Sequence, residues 1–271
     1  MTSDLFSLAG RVAVVTGGTG AIGGAVADGL ARAGANVVVI ARNAERVADT
    51  AGRLVSLGHD AIGIAADVLD LDSLERARDE VLERYGAVHV LVNCAGGNVA
   101  AATLHDGDDP FDVPLDALRE VVDLNLLGTL LPIRVLGGVM QHDSGCSIVN
   151  VSSMAASRAV TRVGGYGGAK AAVESITRWL AVELARRGTG IRVNAIAPGF
   201  FVGDQNRALL MREDGELTDR GATIVSRTPL GRFGEPEELV STVIWLVADG
   251  ARFVTGVVVP IDGGFSAFSG V

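Results

Sequence analysis

Seven short runs of β-branched and aliphatic residues punctuate the chain at 12–16, 36–41, 61–65, 88–93, 147–152, 192–197 and 257–261. Each is nearly continuous in apolar character rather than alternating, which is what a strand buried on both faces requires. Stretches with helical spacing lie between them, near 23–33, 44–57, 72–85, 115–140, 165–187 and 236–248. Strand and helix in alternation predict an α/β chain with a doubly wound, seven-stranded parallel sheet and helices on both faces. No Pro/Ser-rich linker or shift in composition divides the sequence, so residues 1–271 read as one domain. Two segments interrupt the rhythm, 96–113 and 199–234. Both follow the carboxyl end of a strand, where open parallel sheets bind ligands, and the second is the expected substrate lid.

A hydrophobic content of 48% supports a sizeable core, and a formal charge of −9 leaves no electrostatic footprint for nucleic acid or an anionic membrane. Any anionic ligand must therefore meet a local cationic pocket. The aliphatic runs fall far short of the roughly 20 residues that span a bilayer, so no membrane partner is expected. Two cysteines, Cys94 and Cys146, are too few for a disulfide framework, and the first residues lack the architecture of a signal peptide. A cytoplasmic location follows as the expectation. His59, His89, His105 and His142 show no metal-ligand spacing, so no metal site is expected.

Thr16-Gly17-Gly18-Thr19-Gly20-Ala21-Ile22-Gly23 stands between the first strand and the first helix. Glycines there let the backbone turn sharply and approach a pyrophosphate, which the free N–H groups of the following helix would hold. The second strand ends Ala41-Arg42, where an acidic residue would bind a ribose 2′-hydroxyl and an arginine a 2′-phosphate. NADP(H) is thus the favoured cofactor and NAD(H) the alternative, since Arg42 could instead stack on the adenine or cap the strand in solvent. Tyr166 and Lys170 are four residues apart on a predicted helix and share one face, with Ser153 upstream at a strand end. A fixed ammonium favours the phenolate, which makes Tyr166 a candidate proton donor and acceptor for a carbonyl/alcohol pair.

Together with Asn93-Cys94-Ala95-Gly96, Asn125, Pro198-Gly199 and the closing Asp262-Gly263-Gly264, these motifs, in this order, resemble the short-chain dehydrogenase/reductase superfamily over about residues 5–265. The resemblance implies a single-domain Rossmann fold. It implies that Tyr166 is the acid/base, that Lys170 lowers its pKa and binds the nicotinamide ribose, that Ser153 hydrogen-bonds the reacting oxygen and that Asn125 holds a water. It further places Gly17, Thr19, Gly20, Ala21, Ile22, Gly23, Arg42, Asp67, Val68, Asn93, Ala95, Gly96, Pro198 and Gly199 along the cofactor, and implies a homotetramer. The chain departs from the pattern at Ala21, in place of a glycine, at Cys94, in place of the second Asn, and at Gly203, in place of a Thr. Gly167 and Gly168 are unusual inside a catalytic helix.

Segments 93–98, 123–132, 195–210, 227–236 and 265–271 look closest to the sugar-acid branch known as D-mannonate oxidoreductase or fructuronate reductase. From Val151 to Val173 the chain carries Arg158, Arg162 and Lys170 and no acidic residue, which suits an anionic substrate. Asn98, Gln205 and Arg207, beside Asn206 in the lid, complete the expected small-molecule substrate contacts. Arginines 158 and 162 could equally belong to a solvated face. A 3-oxoacyl-carrier-protein reductase, a polyol dehydrogenase and a non-enzymatic nucleotide sensor are the competing readings.

Overall fold

β-branched side chains crowd a helix but pack well on a pleated sheet, and each of the seven runs becomes a strand. The computed structural model describes residues 4–105, 107–140, 145–203 and 206–270. Its strands are β1 (Val12–Thr16), β2 (Asn36–Ala41), β3 (Ala61–Ala65), β4 (Val90–Asn93), β5 (Ser147–Val151), β6 (Arg192–Pro198) and β7 (Val258–Ile261). They form one parallel sheet in the order β3-β2-β1-β4-β5-β6-β7. Strand β4 begins two residues later than expected because the His89 Nδ1 accepts the Val12 N–H at 3.0 Å, in place of a ladder carbonyl.

The helices are α1 (Ala21–Arg32), α2 (Ala44–Ser56), α3 (Leu71–Tyr85), α4 (Leu115–Val122), α5 (Gly128–Val135), α6 (Gly164–Arg186), α7 (Arg207–Leu210), α8 (Asp219–Arg227) and α9 (Val240–Val247). The strands are apolar throughout because alternate residues serve different layers. Ala13, Val15, Val37, Val39 and Val92 pack with Val26, Leu30 and Leu246 on one face. On the other face Val14, Val38, Ile40, Leu91 and Ile148 pack with Ala77, Val81 and Ala181.

The expected single helix at 115–140 is broken. A π turn, Asp123–Leu127, joins α4 to α5, and Pro132 within α5 has no N–H for the preceding turn. The whole span Leu115–Val139 is long and apolar enough to cross a bilayer, with a mean hydropathy of 1.4 in its most apolar window. In this fold it packs on α3 and α6. The strand order reverses between β1 and β4, and the carboxyl ends there open into a cleft, the usual place for a nucleotide.

Candidate active site

The floor of the cleft joins the end of β5 to α6. Ser153 has extended backbone (φ −163°, ψ 153°) and leaves the strand half-buried, while its neighbour Ser152 is buried and donates to Glu174 Oε1 at 3.0 Å. The two hydroxyls thus part: that of Ser152 is taken up by Glu174, while Ser153 lines the cleft half-buried. Tyr166, on the first turn of α6, is hydrogen-bonded to Ser153. Lys170 lies one turn on, 3% exposed, and its Nζ donates to the Val151 carbonyl at 2.8 Å and sits 5.7 Å from the Tyr166 ring centroid. Gly167 lets the helix close on the loop after Ser153, since a Cβ there would be 2.9 Å from the Ala155 carbonyl oxygen; at Gly168 a Cβ would meet nothing.

Burial dominates the electrostatics of this floor. It pushes the Tyr166 phenol up, and the hydrogen bond with Ser153 is the opposing influence. It pulls the Lys170 ammonium down to about 8. The expected lowering of the phenol by Lys170 stands against this burial cost, which is the largest influence on Tyr166. Cys94 beside them is pushed up to about 12 by burial, against the pull of Lys170, so its thiol stays protonated.

Asn125 sits in the π turn, fully buried. Its Nδ2 donates to the carbonyls of Gly97 (2.7 Å) and Val121 (2.9 Å), and its Oδ1 accepts the Gly97 N–H at 3.1 Å. The side chain thus clamps the loop after β4 to α4. A Cβ on Gly96 would stand 2.8 Å from Asn125 Oδ1 and 3.2 Å from Lys170 Nζ, so the glycine keeps open a gap that both groups border.

The opposite wall is shaped to accept a nucleotide. A Cβ on Gly17 would be 2.7 Å from the Ala95 nitrogen, and one on Gly23 would be 2.2 Å from the Gly17 carbonyl oxygen. Both glycines let the loop fold under itself. Gly20 caps α1 with no side-chain acceptor, whereas Asn43 and Asp70 cap α2 and α3 with theirs. The free N–H groups of Ala21 and Ile22 suit a pyrophosphate. Thr19 faces Arg46, whose Nη2 donates to its carbonyl at 2.9 Å, and Arg42 is exposed at the end of β2. Asp67 closes the turn after β3 by accepting the Leu69 N–H, and Val68 is buried beside Gly128. Ala95 is held by Thr16. Gly199 lies against Asp262, where a Cβ would be 2.7 Å from the Asp262 Cα, and follows Pro198 at the end of β6. Asn93 is buried between strands, its Nδ2 on Asn150 at 2.9 Å, so it shapes the sheet under the cofactor wall rather than facing the cleft.

The cleft, about 680 Å³, is lined by this floor, by Asn98 and His105 from the loop after β4, by Val160 and Arg162, and by Asn206, Leu209, Leu210 and Arg220 of segment 199–234. Two expected substrate residues lie elsewhere. Arg158 turns to the carboxyl-terminal segment, its Nε 2.8 Å from the Ser266 carbonyl, and Arg207 is exposed at the start of α7 and does not line the cleft. Gln205 lies outside the described residues. Arg220 lines the cleft instead; its only sequence signal was a cation inside the lid, shared by four other arginines.

A family model described as enoyl-(acyl carrier protein) reductase matches residues 17–266. An uncharacterized oxidoreductase of Bacillus subtilis, UxuB, is 42% identical over 98% of each chain. The solved structure of a candidate D-mannonate oxidoreductase from Haemophilus influenza, with bound NAD, is 38% identical and superposes over all of both chains with a TM-score of 0.92. A gluconate 5-dehydrogenase from Burkholderia cenocepacia, solved with NADP and tartrate, is 31% identical over 99% of this chain and 100% of that one, with a TM-score of 0.87. The chain is a short-chain dehydrogenase/reductase. As a member of that superfamily it is an NAD(P)-dependent oxidoreductase acting on CH–OH groups.

Against the short-chain dehydrogenase/reductase pattern, two of the noted departures prove to be neighbours. A Cβ on Gly203 would be 3.2 Å from the Cβ of Ala21, so the methyl gained in the glycine-rich loop occupies space given up in the lid. Asn206 then closes the bend at Gly203, accepting its N–H at 2.8 Å and donating to the Phe201 carbonyl at 2.9 Å.

Proposed function

We propose that this enzyme interconverts a ketone and a secondary alcohol on a polyhydroxy carboxylic acid, a hexonate or ketohexonate of the D-mannonate/D-fructuronate kind, with NADP(H) favoured over NAD(H). The bound nicotinamide would supply or accept the hydride. Tyr166 gives its proton to the carbonyl oxygen in reduction and takes it back in oxidation, while Ser153 donates a hydrogen bond to the same oxygen and stabilises the charge that develops there. Lys170 holds the nicotinamide ribose, and the gap over Gly96 that it shares with Asn125 suits a water that would refill the proton on Tyr166. Segment 199–234 serves as the lid.

The observation that carries the substrate class is the lining of the cleft. The chain holds 32 acidic residues, yet none of the described residues lining the cleft is Asp or Glu, while Lys170, Arg162, Arg220 and His105 all line it. Among the described lining residues an acid would meet cations and no like charge; a net charge of −9 also disfavours an acidic carrier protein as partner. Arg42 and Arg46 beside the glycine-rich loop support the 2′-phosphate preference. Exposed Leu115, Val122, Trp179 and Val182 on α4 and α6, which pack on one another, support a homo-oligomer, for which a tetramer is proposed.

A panel of hexonates, ketohexonates and the matching hexitols, followed by nicotinamide absorbance with each cofactor, tests this reading. Turnover of an acid at least about tenfold more efficient than that of its hexitol is expected, as one charge-assisted contact supplies. Equal efficiency on acid and hexitol would remove the substrate class, and equal use of NADH and NADPH the cofactor preference.

A further inference from the structure

We propose that Glu174 on α6 is a positioning residue for the reaction: acting through the Ser152 hydroxyl, it fixes the end of β5 against α6 and so holds Ser153 in register with Tyr166. This role rests on the parts proposed above for Tyr166 and Ser153, whatever the substrate.

Glu174 is the one buried carboxylate among the described residues, 9% exposed. A carboxylate taken from water costs free energy unless it is paired and hydrogen-bonded, and an apolar side chain at this point of the helix would pack without that cost. Its two oxygens are divided. Oε2 accepts from Arg178 Nη2 at 3.0 Å, an i,i+4 pair whose arginine is largely exposed and which contributes little by itself. Oε1 turns inward and accepts the Ser152 hydroxyl at 3.0 Å. The Lys170 carbonyl, at 3.4 Å, is a longer and weaker acceptor for the same hydroxyl.

The bond to Ser152 belongs to a series that joins consecutive residues at the end of β5 to one face of α6. Asn150 Nδ2 donates to the Thr177 hydroxyl at 2.9 Å, the Val151 carbonyl accepts from Lys170 Nζ at 2.8 Å, Ser152 donates to Glu174, and Ser153 is bonded to Tyr166. Tyr166, Lys170, Glu174 and Thr177 follow one another at intervals of four, four and three residues, which stacks them along one stripe of the helix. Ser152 and Ser153 share a planar peptide unit, so a rotation that frees the Ser152 side chain swings Ser153 as well. The Ser153 hydroxyl also accepts the Ala155 N–H at 3.2 Å, a bond within its own loop that does not fix the loop against the helix. Burial raises the Tyr166 phenol and the Ser153 bond opposes it, so lost register reads out as a further rise.

Tyr85 and Tyr166 are the only tyrosines of the chain, so in a Tyr85→Phe background an isotope label at the tyrosine Cζ gives one magnetic resonance signal, that of Tyr166. Glu174→Ala and Ser152→Ala should each move this signal and carry its alkaline titration to higher pH. Each should also lower kcat by about tenfold or more on D-mannonate with NADP+, with KM and the cofactor Kd retained. The double Ala variant should be no worse than either single one, since both act on one bond. Glu174→Gln, which keeps an acceptor for the Ser152 hydroxyl, should recover the signal and most of kcat. An unmoved signal and kcat, losses that multiply in the double variant, or a lower melting temperature with the signal in place would each overturn the role of Glu174. Ser152→Ala leaves Glu174 paired with Arg178 and decides the matter should Glu174→Ala not fold. The signal is read without substrate, so a wild type inactive on D-mannonate would remove the proposed substrate alone, while an active Tyr166→Phe would remove the acid/base reading itself.

Discussion

On the floor of the cleft Lys170 and Asn125 are 3% and 0% exposed, and their polar atoms are held by backbone carbonyls and amides of three other segments. At the rim, Arg220 reaches across from the lid to Thr161, and Arg162 stands in a left-handed turn. The floor is a preorganised electrostatic environment in which desolvation sets the ionisation of each group. The rim gathers cations from the lid helix α8 and the loop after Ser153, segments far apart in sequence. On the proposed function, the first region would fix what reaction occurs and the second on which molecules.

Replacing Tyr166 by Phe makes the sharpest test of the floor. It removes the transferable proton while leaving the ring, so kcat should fall by roughly 10²–10⁴ with the cofactor Kd nearly intact. A variant retaining more than about a tenth of wild-type kcat would end the acid/base role, however well the site is built.

Lys170→Met tests whether burial rules the floor in the free enzyme. The native ammonium titrates at about 8 against 10.5 ordinarily, so between those values the unfolded chain binds more protons than the native one. Stability from this group is therefore lost as pH falls through 8 and recovered as pH rises toward 10.5. Denaturant unfolding of the apo enzyme should show wild-type stability gaining about 3 kcal/mol on the Met variant across that window. Parallel pH curves would mean that the lysine is far better solvated than its surroundings suggest.

The smallest expected effects distinguish two adjacent glycines. Gly168→Ala, open to solvent, should stabilise α6 by up to about 1 kcal/mol. Gly167→Ala drives a methyl toward the Ala155 carbonyl and should cost about 1–3 kcal/mol and lower kcat by moving Tyr166 relative to Ser153. Similar melting temperatures for the two variants would contradict the close packing of α6 on the Ser153 loop.

The floor was legible in the sequence because its chemistry is written in local spacing: four residues from Tyr166 to Lys170, a strand end at Ser153, glycines after a strand. The strands β1, β2 and β3 match their expected bounds residue for residue, since β-branched runs flanked by turn residues leave no alternative register. The rim was not legible. Arg158, Arg162 and Arg207 all add positive charge near the site, but only Arg162 points into it. Charge counted along a segment carries no direction, and the bend that turns Arg158 to Ser266 depends on a residue 108 positions away. Arg220 went unnoticed for the same reason, because its neighbour Thr161 is 59 positions distant. The break at 123–127 also escaped the helical pattern, which one extra residue in a turn shifts without erasing.

The closeness of Ala21 to Gly203 makes the order of substitution at the two positions matter. A side chain restored at 203 while Ala21 remains would have its Cβ 3.2 Å from a methyl on the first turn of a helix, which cannot swing aside as a flexible side chain could. Removing the Ala21 methyl first costs only the preference of a helix for alanine over glycine, about 1 kcal/mol. Of the two routes back to the superfamily pattern, one passes through a crowded intermediate and the other through a slightly loosened one. Substitutions grafted from relatives into this lid will therefore succeed or fail according to the order in which they are made.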